Sequence, residues 1–242
     1  MKTSFLLPLL LSGLALPAAA QTCEIAARAG LSLMRFGGPD AQSASFVSYW
    51  PNDAGLSYTS SPYGSQLGAG LALGLWVQRV GAHQGLLALD LGYEWLRSRT
   101  TITQVAYWPS LASFFRSAYS ADGTTYLVSQ NLTAFLGFGH RFTLGAVAID
   151  ALAGPELAYV FSFREKGSGT YDGSQAWATD RANRAKNLFD ARLRADATAW
   201  YHRIGLNASY SHGFINYQGG LLGASPEVYA RILRLGLACR LR

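Results

Sequence analysis

Residues 64–97 carry an apolar side chain at every second position in two consecutive runs, 67–77 and 87–95, with a short break at 80–84 between them. A side-chain period of two is typical of a β-strand with one apolar face, and two such runs around a short break predict a β-hairpin. Each run exceeds the roughly five or six residues of an ordinary strand and matches the roughly 9–11 residues with which a tilted strand crosses a bilayer. The segment is therefore predicted to be a membrane hairpin.

Residues 1–20 are typical of a secretory signal peptide exported by the Sec pathway, which leaves 21–242 as the predicted mature domain. Lys2 supplies the positive start, residues 5–16 the apolar run, and residues 18–20 a small-residue cleavage site. Thr22 stands before Cys23 where a lipid-anchor motif requires Gly or Ala, so a lipoprotein is disfavoured. No other run reaches the roughly 18 apolar residues of a membrane helix. Any membrane passage must therefore use strands.

The composition disfavours a soluble β-sandwich or a lipocalin-like barrel. Charged residues make up 14% of the chain, whereas a soluble surface usually carries charge on about a quarter or more of its residues. After the signal peptide, lysine occurs only at Lys166 and Lys186. The minority faces of the alternating runs carry Gly, Ala, Ser and Asn, which suit the interior of a narrow barrel. Dispersed basic residues in an exported chain also disfavour a nucleic-acid partner.

Six further runs alternate in the same way and complete a set of eight strands. They span 24–36, 126–138, 147–163, 190–199, 204–211 and 233–242. Long loops are predicted at 37–63, 98–124 and 165–187 and a shorter one at 215–226, and these alternate with short turns, one of them around His140-Arg141. A bulge or bend is expected at Gly154-Pro155, because proline cannot donate to a strand ladder. Beyond it, Phe163 continues the apolar face.

The predicted fold is all-β: a closed, eight-stranded antiparallel transmembrane β-barrel, built as an up-and-down meander. An even strand number with long outer loops and short periplasmic turns is typical of bacterial outer-membrane barrels. Closure removes the strand edges that lipid could not satisfy. The expected protein is a porin-like monomer of the bacterial outer membrane with both termini periplasmic.

Five short segments resemble the PorT-like outer-membrane β-barrel family of Bacteroidota. They are YLV at 126–128, LTAF at 132–135, AGPELAY at 153–159, YSHGFIN at 210–216 and LGL at 235–237. Such barrels usually end in an aromatic residue, whereas this chain ends Leu241-Arg242. The resemblance implies an outer-membrane location. Because the family includes secretion-associated proteins, it also implies a role in a secretion or transport system, with a partner from that system, as an alternative function.

Charged residues on the minority faces predict a network inside the barrel. They are Asp90, Glu94, Asp150, Glu156, Asp190, Arg192, Arg194, Asp196, Arg234 and Arg240. Opposite charges in a narrow lumen are expected to pair, because isolated buried charge is costly. A plug of salt bridges is favoured over a proton or ion path, because the interior of an eight-stranded barrel is just wide enough for its own side chains. We expect no open pore.

Cys23 and Cys239 lie near the periplasmic ends of the first and last strands, which are neighbours in a closed barrel. A disulfide that staples the seam and two unpaired thiols both remain open, since the exported compartment permits oxidation. Neither cysteine is accompanied by a His or carboxylate cluster in the sequence, so a metal site is disfavoured, and no cofactor is predicted.

Catalysis is also disfavoured. A lipid hydrolase would need a serine and a histidine within hydrogen-bond reach. His212 is the histidine nearest the predicted outer end of a strand, but Ser209 and Ser211 fall on the opposite face of that strand. The chain is therefore predicted not to be an enzyme, although a lipid-modifying activity stays the least favoured alternative.

The third long loop carries basic residues that could contact the phosphates of outer-membrane lipid, such as lipopolysaccharide, or another anionic partner. They are Arg164, Lys166, Arg181, Arg184 and Lys186. A solvated loop with ordinary charges is the favoured interpretation. Aromatic residues in the first two loops predict either a binding surface or packing of the loops on themselves. The favoured function is a structural or surface-binding protein of the outer membrane.

Overall fold

The computed structural model describes residues 22–53, 55–109, 116–182, 188–218 and 226–241, and it is all-β. The strands are β1 (Thr22–Gly37), β2 (Ala44–Tyr49), β3 (Tyr58–Thr59), β4 (Gln66–Val80), β5 (Gly85–Tyr107), β6 (Ser117–Leu144), β7 (Val147–Tyr171), β8 (Gln175–Arg181), β9 (Phe189–Tyr201), β10 (Ile204–Gly213) and β11 (Tyr229–Arg240). Within these described ranges, no helix is long and apolar enough to cross a membrane.

Eight of the strands pair in a ring. The order is β5-β4-β1-β11-β10-β9-β7-β6, and β6 pairs in turn with β5. Every pairing in the ring is antiparallel. These strands correspond one to one to the eight predicted from the alternating runs. The predicted strand number, the meander and the contact between the first and last strands are confirmed.

Large apolar side chains face outward around the whole ring. On β4, the side chains of Leu73 and Leu75 are 56% and 59% exposed, whereas the next residue, Trp76, points inward and is 1% exposed. We call the outward set the apolar belt; it includes Leu31, Leu71, Leu73, Leu75, Leu89, Leu91, Tyr93, Leu132, Leu136, Phe138, Leu157, Tyr159, Phe161, Leu193, Leu206, Leu235 and Leu237. Soluble monomers rarely expose a contiguous apolar surface of this extent.

Small residues let the strands approach closely around the interior. Gly30 on β1 pairs with Gly236 on β11, and a Cβ atom added to Gly30 would lie 2.4 Å from the carbonyl oxygen of Leu235. Any larger residue at Gly30 would push the two strands apart. The small side chains on the minority faces thus fit a narrow interior, as predicted.

The prediction of a loop at 98–124 is wrong. β5 continues to Tyr107 and β6 begins at Ser117, and the two strands stay paired from Gly85↔His140 to Tyr107↔Ser117. Their outer halves extend beyond the belt, where Thr, Ser and Gln replace the large apolar residues. The alternation that marks a lipid-facing strand is missing there, so periodicity does not reveal these halves.

Three short strands within the predicted loops were also missed. The pairing of β4 with β5 ends at Gln66↔Arg99. Beyond that point β2 pairs in parallel with the same edge of β5, from Ala44↔Thr101 onward. On the other side, β8 pairs with β7 from Glu165↔Arg181 to Tyr171↔Gln175, beyond the point where β9 begins. β3 pairs with β2 and contacts β8.

Together these segments form a structure that we call the projection: β2, β3, β8 and the outer halves of β5, β6 and β7. It has its own buried cluster, made of Val47, Ile102, Val105, Tyr171 and Trp177. β5 runs about ten residues beyond the belt, which at about 3.3 Å per residue extends the projection by roughly 30 Å. The projection therefore rises from one side of the ring.

The turn predicted around His140-Arg141 is wrong as well. β6 runs on to Leu144, and the chain reverses at Gly145, which has a φ of +61°. Glycine adopts this left-handed conformation without steric cost. As a result, Arg141 belongs to a strand, and its side chain reaches the ring interior.

The irregularity predicted at Gly154-Pro155 lies elsewhere in β7. The pairing of Pro155 with Leu193 is part of an unbroken register with β9. With β6, the same register resumes on both sides of the proline. The register shifts further on, where Gln130 pairs with Ser162 but Asn131 pairs with Val160. Phe161 is therefore the extra residue of a β-bulge.

The bulge at Phe161 exchanges the two faces of β7. Up to Val160 the even-numbered residues point inward, whereas beyond the bulge Phe163 and Glu165 are buried and Arg164 and Lys166 are exposed. The predicted placement of Phe163 on the outward apolar face is therefore wrong, because one inserted residue reverses a period of two.

Candidate functional site

The ring interior is filled in layers. The layer nearest the short turns is apolar and aromatic, with Trp76, Phe135 and Trp200 at its centre. The layer nearest the projection is also apolar and includes Phe36, Phe163 and Tyr217, whose rings contact one another. The larger of two clusters of charged side chains lies between these two layers. The apolar layers were not predicted, because most residues of the minority faces are small and the few large ones follow no repeat.

The central charge cluster forms its densest contacts around Glu156 on β7. Arg234 donates to Glu156 Oε1 from Nη2 at 2.9 Å, and also donates to Glu94. Arg192 donates from Nη1 to Glu156 at 3.2 Å and to Glu94 at 3.1 Å. Its Nε donates to Asp190 at 2.7 Å. Arg192, Asp190 and their partners are all buried.

The same cluster continues toward the turn side through Arg194. Arg194 donates to Asp196 at 2.6 Å and lies 2.9 Å from Asp90. Arg28, which the sequence analysis did not single out, donates to Asp196 at 3.0 Å and stacks on Trp76, 3.4 Å from the ring centroid. Its position on the small-residue face of β1 was the available signal. Arg194 stacks in the same way on Phe135.

A second cluster lies nearer the short turns, so the predicted network is divided in two. Arg141 donates to Asp150 and to Glu24, with Nε 2.6 Å from Asp150 Oδ1. Trp200 Nε1 donates to Asp150 at 2.8 Å, and Arg240 Nε lies 3.2 Å from Glu24. Asp150 and Arg240 therefore sit here and not in the central cluster. Glu24 and Arg141 were missed, Arg141 because it was assigned to a turn.

The charges in the interior nearly balance. The central cluster pairs four arginines with five carboxylates, and the turn-side cluster pairs two with two. A cavity of about 40 Å³ beside Arg28, Asp90 and Arg234 has room for a few water molecules. Mutual pairing offsets much of the cost of removing these charges from water. The arrangement suits a plug held by ion pairs.

Cys23 and Cys239 do not form the disulfide considered above. Both are free and exposed. The register of β1 with β11 places Cys239 opposite Ala27, four residues from Cys23. Four residues of a strand span about 13 Å, whereas a disulfide requires Cα atoms within about 7 Å. Although β1 and β11 are neighbours, their register does not place the two cysteines opposite each other.

Ser211 and His212 lie on opposite faces of β10, as their adjacency predicts. Ser211 is buried and accepts a hydrogen bond from Arg234 Nη1 at 2.6 Å. His212 faces outward, 3.4 Å from the hydroxyl of Tyr210. A serine and histidine arranged for nucleophilic catalysis are therefore not brought together here.

The structure places the basic residues predicted to contact lipid on two different faces. Arg164 and Lys166 face outward on β7, while Arg181 at the end of β8 stacks on Tyr58, 5.1 Å from its ring centroid. Arg184 and Lys186 lie outside the described residues. Arg164 donates to Asp180, and this hydrogen bond raises the pKa of the guanidinium further. Arg164 therefore stays charged at any physiological pH.

Aromatic residues of the first two predicted loops pack on one another at the tip of the projection. Trp50 stacks on Trp108 with 5.7 Å between centroids, and on Tyr58 with 5.8 Å. Tyr49, Tyr107 and Tyr171 form a second group behind them. Self-packing is thus confirmed for these residues. A binding role for their exposed edges stays a prediction.

Comparison with known proteins reveals only distant structural likeness. The chain matches no protein-family profile and no curated protein sequence, so the resemblance to the PorT-like family stays a prediction.

The solved structures similar to the chain include the following three. One is Ail, the attachment invasion locus protein of Yersinia pestis, in complex with the heparin analogue sucrose octasulfate: 13% identity, TM-score 0.36, covering 90% of this chain and 99% of that one. A second Ail structure has 13% identity and a TM-score of 0.34, covering 90% and 98%. Neisserial surface protein A (NspA) has 10% identity and a TM-score of 0.35, covering 91% and 99%. Likeness at this level transfers no property of those proteins to this chain.

Proposed function

We propose that this protein is an integral β-barrel of the bacterial outer membrane, with a lumen closed by its own side chains and a structural or surface-binding role carried by the projection. The apolar belt is the observation that supports this most strongly. A continuous ring of exposed leucines and aromatic residues is stable against lipid and unstable in water. The eight-stranded ring satisfies the backbone hydrogen bonds that a membrane leaves without water.

The orientation follows from the two ends of the ring. Outer-membrane barrels place short turns in the periplasm and long segments outside. The turns at 81–84, 145–146 and 202–203 lie at one end of the ring together with Thr22 and Leu241, and the projection lies at the other. The proposal therefore places both ends of the mature chain in the periplasm and the projection at the cell surface.

A test of this orientation uses intact cells. We expect a membrane-impermeant reagent to label a cysteine introduced at Ser45 or Gln175 in the projection, in a Cys23→Ser/Cys239→Ser background. A cysteine introduced at His83 or Arg203 in the turns should be labelled only after the outer membrane is opened. Labelling of both ends in intact cells, or of neither, would contradict the proposal.

The filled interior supports a plug rather than a channel. Two apolar layers lie above and below the central charge cluster, and ions would have to displace both to pass. We expect the purified protein to insert into a planar lipid bilayer without steady conductance. A stable unitary current that scales with salt concentration would instead favour a transport role. Insertion itself is checked independently by flotation with phosphatidylcholine vesicles.

A further inference from the structure

We propose that the outward face of β5, β6 and β7 immediately above the apolar belt binds the phosphate groups of a glycolipid in the outer leaflet, that is, of lipopolysaccharide. This inference rests on the proposed function, since it needs the belt to lie in the membrane. It identifies a partner and a site for the surface-binding role. We call the site the phosphate face; it consists of Arg97, Arg99, Tyr126, Arg164 and Lys166.

Strand register brings the four cations of the phosphate face together. Arg97 pairs with Val128, which pairs with Arg164, and the next row runs from Arg99 through Tyr126 to Lys166. Neighbouring strands are about 4.8 Å apart, and two residues of one strand span about 7 Å. The four Cα positions therefore outline a rectangle of roughly 10 by 7 Å. Long side chains at its corners can converge on one or two phosphates.

The bulge at Phe161 creates one side of this rectangle. Without the extra residue, Arg164 and Lys166 would continue the inward-facing set that ends at Val160. With it, both cations face outward, and Glu165 is buried, where its Oε1 accepts hydrogen bonds from the backbone nitrogen and the hydroxyl of Thr59 at 2.7 and 2.8 Å. A single insertion thus turns two cations toward the membrane surface and removes a carboxylate from it.

The remaining contacts leave the face positive. Arg97 Nε donates to the carbonyl of Ala69 at 2.6 Å, and its guanidinium lies over Trp95 and Tyr126. These contacts fix its position without neutralising its charge. Asp180 is the acidic neighbour: it receives the hydrogen bond from Arg164 and pairs across the strands with Lys166. Four cations against one carboxylate attract a multiply charged anion.

The residues below the face favour a lipid over a soluble anion. Tyr93 on β5 and Phe161 on β7 are exposed, and their ring centroids lie 6.2 Å apart. Leu132 lies on β6, the strand between them, and is paired with Tyr93. On β5, Trp95 is the one outward residue between Tyr93 and Arg97. A ligand with phosphates at the level of Arg97 and acyl chains along the belt would meet cations and apolar side chains in the right order. Aromatic residues at this level are typical of the membrane interface.

The test compares wild-type protein with two double variants in detergent micelles. Arg99→Gln/Lys166→Gln removes the upper row, and Arg79→Gln/Arg203→Gln removes two cations at the turn side. The probe is a rough lipopolysaccharide with two phosphates on its glucosamine disaccharide, titrated by native mass spectrometry. The same molecule after enzymatic dephosphorylation, and phosphatidylglycerol, serve as comparison ligands.

We expect Arg99→Gln/Lys166→Gln to weaken lipopolysaccharide binding about tenfold or more, because charge-assisted contacts to phosphate are lost. The turn-side variant should bind as the wild type does, and dephosphorylation should weaken wild-type binding at least as much as the first variant does. The inference is overturned if both variants lose the same affinity, if dephosphorylated ligand binds equally well, or if phosphatidylglycerol competes on equal terms. Wild-type protein that floats with phosphatidylcholine vesicles yet binds no lipopolysaccharide refutes only this inference; protein that does not float refutes the proposed function with it.

Discussion

Glu156 on β7 accepts a hydrogen bond from Arg234 on β11 across the ring interior, with 2.9 Å between Oε1 and Nη2. β9 and β10 separate the two strands along the sheet, so this contact crosses the interior and does not join neighbouring strands. Arg192 and Arg194 donate to the same carboxylate. One glutamate therefore holds three arginines in place at the centre of the plug.

Glu156→Gln should destabilise the protein by about 3–5 kcal/mol, because removing one partner of a buried ion pair leaves the other charge uncompensated. Urea unfolding in detergent, followed by tryptophan fluorescence, measures the change. Asp122→Asn is the matched control: Asp122 is exposed on the projection, and its substitution should change the free energy of unfolding by less than about 0.5 kcal/mol. Equal unfolding midpoints for the two variants would show that Glu156 does not stabilise the plug.

Glu165→Gln should loosen the projection while leaving the ring folded. The buried carboxylate of Glu165 accepts two hydrogen bonds from Thr59 and so ties β3 to β7. Each hydrogen bond to a charged group contributes about 1.5–3 kcal/mol, so amide hydrogens of 44–59 should exchange about tenfold faster or more. Hydrogen exchange with mass spectrometry measures this rate, and Asp122→Asn again is the control. Unchanged exchange in 44–59 would rule out the anchoring role.

Deleting Phe161 should exchange the faces of the outer half of β7. In a Cys23→Ser/Cys239→Ser background, a cysteine at Lys166 should react readily with a polar maleimide and one at Glu165 slowly. When Phe161 is also deleted, the order should reverse, because the inserted residue alone sets the parity beyond it. Heat-dependent migration in gels checks that the variants still fold. A reactivity order that survives the deletion would show that another feature orients Arg164 and Lys166.

Protein purified without reductant should contain two free thiols per chain. The four-residue offset between Cys23 and the partner of Cys239 keeps the sulfur atoms apart whatever the redox conditions. A thiol assay in denaturant gives the count, and Cys239→Ser, which should give one thiol, is the control. A count of zero in wild-type protein that migrates as a monomer on a non-reducing gel would mean that the register of β1 with β11 differs from the one described.

Periodicity was sufficient for the ring because each of its strands exposes one apolar face. Along the apolar belt every second residue is apolar, as at Leu71, Leu73 and Leu75, and this pattern is visible without a structure. The outer halves of β5 and β6 face water on the projection, where no such rule applies. Their residues Thr100, Ser117 and Ser120 therefore resembled a loop, although they continue the same hairpin.

The charged interior was predictable as a set but not as a network. Parity places Glu94, Glu156 and Arg192 on the inward faces, and their types require pairing. Which carboxylate meets which arginine depends on how the strands are staggered around the ring, and this stagger divided the set into two clusters. The structure also adds Arg28 and Glu24 from β1, and Arg141, which was predicted to lie in a turn.

The sequence by itself determined a ring of eight long strands with leucine outward and charge inward, because both patterns are local and repeat every two residues. The tertiary structure decided everything that depends on register: that Cys23 and Cys239 stay apart, that Pro155 leaves β7 in register, and that Phe161 is the inserted residue. A shift of one residue leaves composition and local pattern almost unchanged, yet it reverses the direction of every side chain beyond it. Arg164 and Lys166 face outward for that reason.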